Sequence, residues 1–363
     1  MSDNTNFIRS PHTASVRIVQ SFMNTEILKD KVILITGGTG SFGRGFVEFL
    51  LKNSEARKII IFSRDELKQF HMENELREYS DRLRFFLGDI RDKDRLQRAF
   101  RGVNIVIHAA ALKQVPTLEY NPFEAVKTNI IGSQNVIEAA IDQGVDKAVF
   151  ISTDKAAQPA NLYGSTKHCA EKLFVNAGSY SGGRTTFSSV RYGNVIGSRG
   201  SIVEVLMKNR NLERVRVTHA EMTRFWITLD QSFGLVLFAL EHMRGGEIFI
   251  PKIPSMKLID LFEALAPNAV KEIVGIRPGE KLHEALITAE ESRHTLELDN
   301  HFVILPEFKK TPHTDRVIGE RYGHFFEKGK KLPEDYCYLS NNNPHVLTPE
   351  EFRQIVNDLF SSL

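Results

Sequence analysis

Cysteine is nearly missing from this chain: Cys169 and Cys337 are the only two in 363 residues. They have no metal-ligand spacing, so both read as buried thiols of a reducing, cytoplasmic compartment. An excess of either charge is missing too, since 47 lysines and arginines stand against 45 aspartates and glutamates, a net charge of +2. That balance removes the electrostatic footprint of a nucleic-acid or anionic-membrane binder, while leaving local phosphate sites open. No apolar run reaches the length of a membrane span, and there is no internal repeat or low-complexity segment. What remains is an ordinary globular composition, 42% hydrophobic and 25% charged, in a chain long enough for one large or two unequal domains.

Residues 1–28 differ in composition from the rest of the chain. They are rich in Ser, Thr and Asn, carry Arg9 and Arg17, and have Asp3 as their only acid before Glu26. With no apolar core they are not an ordinary secretory signal, and a loosely ordered extension fits better than a transit peptide.

From there the pattern is strand, loop and helix in alternation. Lys31–Ile35 reads as a first strand running into Thr36-Gly-Gly-Thr-Gly-Ser-Phe-Gly43. Gly37, Gly40 and Gly43 permit a tight turn, close approach to a pyrophosphate and close helix packing, with Thr39, Ser41 and Phe42 between them. A helix beginning near Ser41 offers its free N–H groups to phosphate. A second strand, Lys58–Phe62, ends in Ser63 and Arg64, with Lys68 one turn on. These suit a ribose 2′-phosphate better than a 2′-hydroxyl, so NADP is preferred over NAD. The alternative leaves Arg64 and Lys68 solvated and turns Asp65 or Glu66 toward the ribose.

A third strand, Leu83–Leu87, ends at Asp89 and Ile90, where the aspartate can accept from an adenine amino group. A fourth, Val103–His108, ends in Ala109, Ala110 and Ala111, small enough for backbone to lie against a nicotinamide ribose. Lys113 comes next, at the crevice where open α/β sheets bind ligands. In the long helix expected over Pro122–Gln143, Asn129 either braces the active-site backbone or is a structural polar residue.

The chemistry concentrates in Ile151–Lys167, ISTDKAAQPANLYGSTK. A buried strand, Ala148–Ile151, ends in Thr153, Asp154 and Lys155, and a helix starts near Asn161. Tyr163 and Lys167, four residues apart, share one face of it, so that the ammonium can sit near the phenol and lower its pKa. Beyond a sixth strand, Thr185–Val190, a glycine-broken loop from Arg191 to Gly200 leads to a helix over Ile202–Met207. Arg224 stands near Trp226, and Arg277 precedes a Pro-Gly turn. Arginines on separate loops suggest a pyrophosphate clamp. A threonine-capped helix is expected over Thr348–Phe360. The fold class is α/β: a Rossmann-type doubly wound parallel sheet with a smaller C-terminal substrate-binding region. Its expected divisions are an extension over 1–28, a core over 29–190, an interleaved substrate region over 191–300 and a tail over 301–363.

TGGTGSFG, SRDELKQ, AALKQVP, STDKAAQPANLYGSTK, RYGNVIGSRGS, MTRFWITL and RPGEKLHE together resemble the extended short-chain dehydrogenase/reductases. More narrowly they resemble the inverting UDP-N-acetylglucosamine 4,6-dehydratases that open pseudaminic acid synthesis. The resemblance spans about residues 29–300. It implies a bound NADP reduced and reoxidised within one turnover, UDP-N-acetylglucosamine as substrate, and assembly into a homo-oligomer. It implies that Tyr163 takes the 4-hydroxyl proton, with Lys167 holding the ribose and Thr153 hydrogen-bonding near that hydroxyl. Lys155, with a depressed pKa, is the C5 base, and Asp154 the acid for the C6 hydroxyl. It also places Lys113, Asn194, Arg224, Arg277 and Glu280 along the nucleotide sugar. The Asp-Lys pair separates this family from retaining dehydratases, which usually carry Asp-Glu, and from 4-epimerases. The rival readings are a capsule-type dehydratase/5-epimerase, a 4-epimerase, and a non-catalytic NADP(H) or nucleotide-sugar sensor.

Overall fold

Neighbouring residues of the early strands feed two different cores. In the computed structural model, which describes residues 23–209, 212–307 and 311–360, strand β1 (Val32–Thr36) is buried throughout. Ile33 and Ile35 enter one hydrophobic cluster, while Val32 and Leu34 enter the other. The apolar residues of β2 (Lys58–Ser63) divide the same way, and β3 (Leu83–Leu87), β4 (Ile105–His108), β5 (Lys147–Ile151) and β6 (Thr186–Val190) complete the run. A strand covered on both faces has no polar face to show, which is why β1, β2, β4 and β5 read as mainly apolar runs.

With β7 (Ile248–Pro251), these strands form a parallel sheet in the order β3-β2-β1-β4-β5-β6-β7. Beyond β7 the sheet continues antiparallel through β9 (His301–Ile304), β8 (Thr295–Glu297) and β10 (Lys330–Lys331). Strand order reverses between β1 and β4, so the carboxyl ends of those strands open the crevice where ligands of such sheets lie.

The helix expected over Pro122–Gln143 is present but not uniform. A π segment, Val126–Ile131, precedes the regular turns of Gly132–Asp142. Asn129 lies in it and braces the loop after β4: its amide accepts from the Leu112 N–H at 2.8 Å and donates to the Leu112 carbonyl at 2.9 Å. A third, smaller core gathers Trp226, Phe262 and Val217 under the terminal helix Pro349–Phe360. Trp226 meets Phe352 edge to face at 5.1 Å. The expected Thr348 cap is there, accepting from the Glu351 N–H at 3.2 Å.

Three expectations change. Residues 1–22 lie outside the described residues, but 23–28 are not a loose extension, because Leu28 is buried and Thr25 donates to the Asn53 carbonyl at 2.7 Å. Both cysteines are half-buried thiols rather than buried ones. The tail contains a helix, Pro312–Lys328, that sequence periodicity did not announce; Gly319 and Gly323 dilute its apolar stripe, although Tyr322 and Phe325 are buried.

Arg191, at the end of β6, is fully buried between two carboxylates. Its guanidinium meets Glu171 at 2.5 Å and Glu291 at 2.7 Å, and donates to the Leu286 carbonyl at 2.9 Å. It therefore ties the first half of the chain to strand Ala285–Ile287 and takes no part in a phosphate clamp. Removing it leaves Glu171 as a buried, unpaired charge. Arg191→Met is expected to lower unfolding free energy by about 3–5 kcal/mol, read from a urea unfolding curve.

Candidate active site

The turn after β5 is built from its own side chains. Thr153 caps a single 3-10 turn, Asp154–Ala156, and the Asp154 N–H donates to the Tyr192 carbonyl at 2.9 Å, which pins the turn to the end of β6. Asp154 is completely buried. Its Oδ1 accepts from the Thr153 hydroxyl at 2.9 Å and from the Lys155 Nζ at 3.0 Å, while Oδ2 has no hydrogen-bond partner.

Helix α1 (Leu162–Ala177) then returns across this turn. Asn161 caps it, accepting from the Gly164 N–H at 2.8 Å and donating to the Gly279 carbonyl at 2.8 Å. Gly164 is obligatory, since a Cβ there would stand 2.3 Å from the Lys155 carbonyl oxygen. That contact brings Tyr163 over the turn, where Thr153 and Lys155 both favour its phenolate.

Burial pushes the Tyr163 phenol up to about 12, and Lys155 is the cation that opposes the shift. Sequence reasoning assigned that part to Lys167, and the structure corrects it. The Lys167 Nζ donates to the Ile151 carbonyl at 2.6 Å and lies 3.8 Å from the centre of the Phe150 ring. Burial pulls it down to about 7, with Glu171 only partly offsetting. The expected depression of Lys155 is also reversed. Burial disfavours its ammonium, but Asp154 and Glu284 outweigh burial and raise its pKa above the ordinary lysine value. Asp154 moves up as well, by burial and by Glu284, against the pull of Lys155.

Glu284, the last residue of RPGEKLHE, was not anticipated as a site residue. Its Oε1 is 3.5 Å from the Lys155 Nζ and 3.9 Å from the Arg224 Nε, and its Oε2 is 3.1 Å from the Lys281 Nζ. Of the expected substrate residues, Asn194 reaches Lys155 at 3.2 Å and Glu280 reaches Arg224 at 3.5 Å. Arg277 is exposed on the turn, and Lys113 stands apart, donating to the Arg199 carbonyl at 3.3 Å.

Beside this cluster lies a cleft of about 270 Å³ lined by Gly37, Thr39, Gly40, Ser63, Arg64, Lys68, Asp89, Ile90, Ala109 and Ala111. Gly37 has φ +67°, and a Cβ on it would come within 2.9 Å of the Ala110 backbone, so glycine and alanine keep this floor bare for a ligand. A Cβ on Gly43 would lie 2.5 Å from the Gly37 oxygen, which packs the helix starting at Ser41 against the loop. Bare backbone, a helix N-terminus and flanking cations suit a dinucleotide. Two expected cofactor residues are placed differently. The Phe42 ring turns inward against Phe46 and Phe233, each 5.6 Å away, leaving only its backbone to the loop. Asp89 is held by Arg91 at 2.7 Å and lies 3.8 Å from Arg64, so its carboxylate is already engaged. Arg199, also unanticipated, donates to the Thr39 carbonyl at 2.8 Å, while its own N–H donates to the Ser41 hydroxyl at 3.0 Å.

Known proteins share both sequence and architecture. A family model described as polysaccharide biosynthesis protein matches residues 33–306. The inverting UDP-N-acetylglucosamine 4,6-dehydratase of Campylobacter jejuni is 49% identical over 330 residues, covering 90% of this chain and 97% of that protein. The UDP-glucose 4-epimerase of Rickettsia rickettsii is 39% identical over 339 residues, covering 90% and 95%. The X-ray structure of Pen from Bacillus thuringiensis aligns with a TM-score of 0.80 at 38% identity, covering 92% of this chain and 99% of that one.

The two lysines should titrate far apart. In the cofactor-free protein, side-chain nitrogen NMR is expected to show Lys167 deprotonating around pH 7, while Lys155 holds its proton to higher pH than an ordinary lysine.

Proposed function

The chain belongs to the polysaccharide biosynthesis protein family, among the extended short-chain dehydrogenase/reductases, and we propose that it is an inverting, NADP-dependent UDP-N-acetylglucosamine 4,6-dehydratase. The observation that carries this reading is the Asp154–Lys155 hydrogen bond of 3.0 Å beneath the same helix turn that presents Tyr163. A 4-epimerase needs a proton acceptor at the 4-hydroxyl but no acid and base for elimination. Burying a carboxylate and an ammonium costs several kcal/mol each, so a pair kept here has work to do.

Bound NADP supplies the hydride acceptor for C4 and the same hydride for C6. Tyr163 receives the 4-hydroxyl proton; with burial holding its phenol near 12, it depends on neighbouring positive charge, and Lys155 provides it. The 4-keto group acidifies C5, and Lys155 takes that proton while Asp154 gives its own to the departing C6 hydroxyl, which leaves as water. For both to act, their shared proton must pass from the ammonium to the carboxylate after Tyr163 has taken its proton and before elimination begins. Elimination then returns the pair to the ammonium–carboxylate arrangement of the structure. A proton returning to C5 on the opposite face inverts that centre.

Support for NADP comes from the end of β2. Asp65, the acid able to hold a ribose 2′-hydroxyl, caps the next helix by accepting from the Lys68 N–H at 3.0 Å and also pairs with the Lys68 ammonium. Ser63, Arg64 and Lys68 line the cleft beside it.

Incubation with UDP-N-acetylglucosamine in heavy water is expected to yield a 6-deoxy-4-keto sugar nucleotide carrying deuterium at C5, with no net NADPH. NMR of the product reads this directly, and oxygen retained at C6, as in an epimerised product, would overturn the assignment. Replacing Arg64 and Lys68 together by Ala should weaken NADP binding about ten- to a hundredfold while barely changing NAD binding, as measured by calorimetry.

A further inference from the structure

We infer that Glu284 is a positioning residue for the elimination: a fixed carboxylate that gives the Lys155 ammonium a counter-ion when Asp154 is protonated. The inference rests on the assignment of Asp154 as acid and Lys155 as base, and deepens it.

Glu284 is placed too firmly to be incidental. Its N–H donates to the Ser340 hydroxyl at 2.9 Å, its carbonyl accepts from the Ser340 N–H at 2.9 Å, and the residue is 3% exposed. Three cations face its side chain: Lys155, Lys281 and Arg224, the last also paired with Glu280. Lys281 is anchored in turn to the Ala157 carbonyl at 2.8 Å, just beyond the catalytic turn. Burial disfavours the Glu284 carboxylate, but these cations outweigh it and keep it ionised.

The consequence lies in the proton count. With Asp154 as its only partner, Lys155 would lose its counter-ion whenever Asp154 took up the acid proton. Glu284 stays charged in both states. Its negative charge favours protonated Asp154, the form needed as acid, and stabilises the ammonium that forms as Lys155 takes the C5 proton. The charges that act on Tyr163 are those of Lys155 and Asp154, so C4 oxidation is affected only at second hand.

The test compares Glu284→Gln and Lys281→Gln with the natural protein in single turnovers across pH. Nicotinamide absorbance follows C4 oxidation, and solvent deuterium at C5 follows elimination. Loss of the Glu284 charge should slow elimination roughly tenfold while leaving C4 oxidation nearly unchanged, and should move both limbs of the elimination pH profile toward acid. Lys281→Gln removes a competing cation and should move them toward alkali. Opposite displacements cannot come from a packing defect, and the second variant decides the matter if the first does not fold. Profiles that coincide with the natural protein's, or that move in the same direction in both variants, overturn the inference. Failure of the natural protein to label C5 would instead reject the dehydratase reading itself.

Discussion

A helix lies against the turn after β5 with no room for a methyl group between them. Because Gly164 carries no side chain, helix α1 can rest on the Lys155 carbonyl, and only then does Tyr163 stand above Asp154 and Lys155. Everything around this contact holds it in register. Asn161 fixes the first helical turn to the Gly279 carbonyl, the Asp154 N–H fixes the strand-end turn to Tyr192, and Arg191 fixes the middle of the helix through Glu171. Tyr163, Asp154 and Lys155 are thus positioned by backbone contacts and a buried ion cluster, not by their own flexible side chains.

The second constraint is electrostatic. Asp154, Lys155, Glu284, Lys281 and Arg224 gather within a poorly solvated space where charges interact more strongly than at a surface. Desolvation works against the charged forms of Asp154, Lys155 and Glu284, and the neighbouring charges outweigh it at Lys155 and Glu284. This is why Lys155 keeps a high proton affinity where Lys167, more deeply buried and facing a carbonyl and an aromatic ring, does not.

Much of this was legible in the sequence wherever cause and effect lie close together along the chain. Parallel strands announce themselves because both faces are buried, the nucleotide loop because strand, glycines and helix come in direct succession, and Thr153 to Lys167 because one turn and one helix hold them all. What was hidden depends on partners far away in sequence. Glu284 meets Lys155 only after the chain has passed through β6, β7 and the segments between them, and nothing in its spacing marks it. Arg191 looked like a phosphate ligand because a sequence does not reveal which arginines are fully buried. Lys167 sits on the expected helix face, yet the Ile151 carbonyl competes successfully for its ammonium.

The loop after β6 spans both halves of the cleft. At one end Asn194 holds Lys155; at the other Arg199 grips the Thr39 carbonyl, with positive-φ glycines at 197 and 200 shaping the path between. One short stretch of backbone thus has an anchor on the glycine floor and another on the amine.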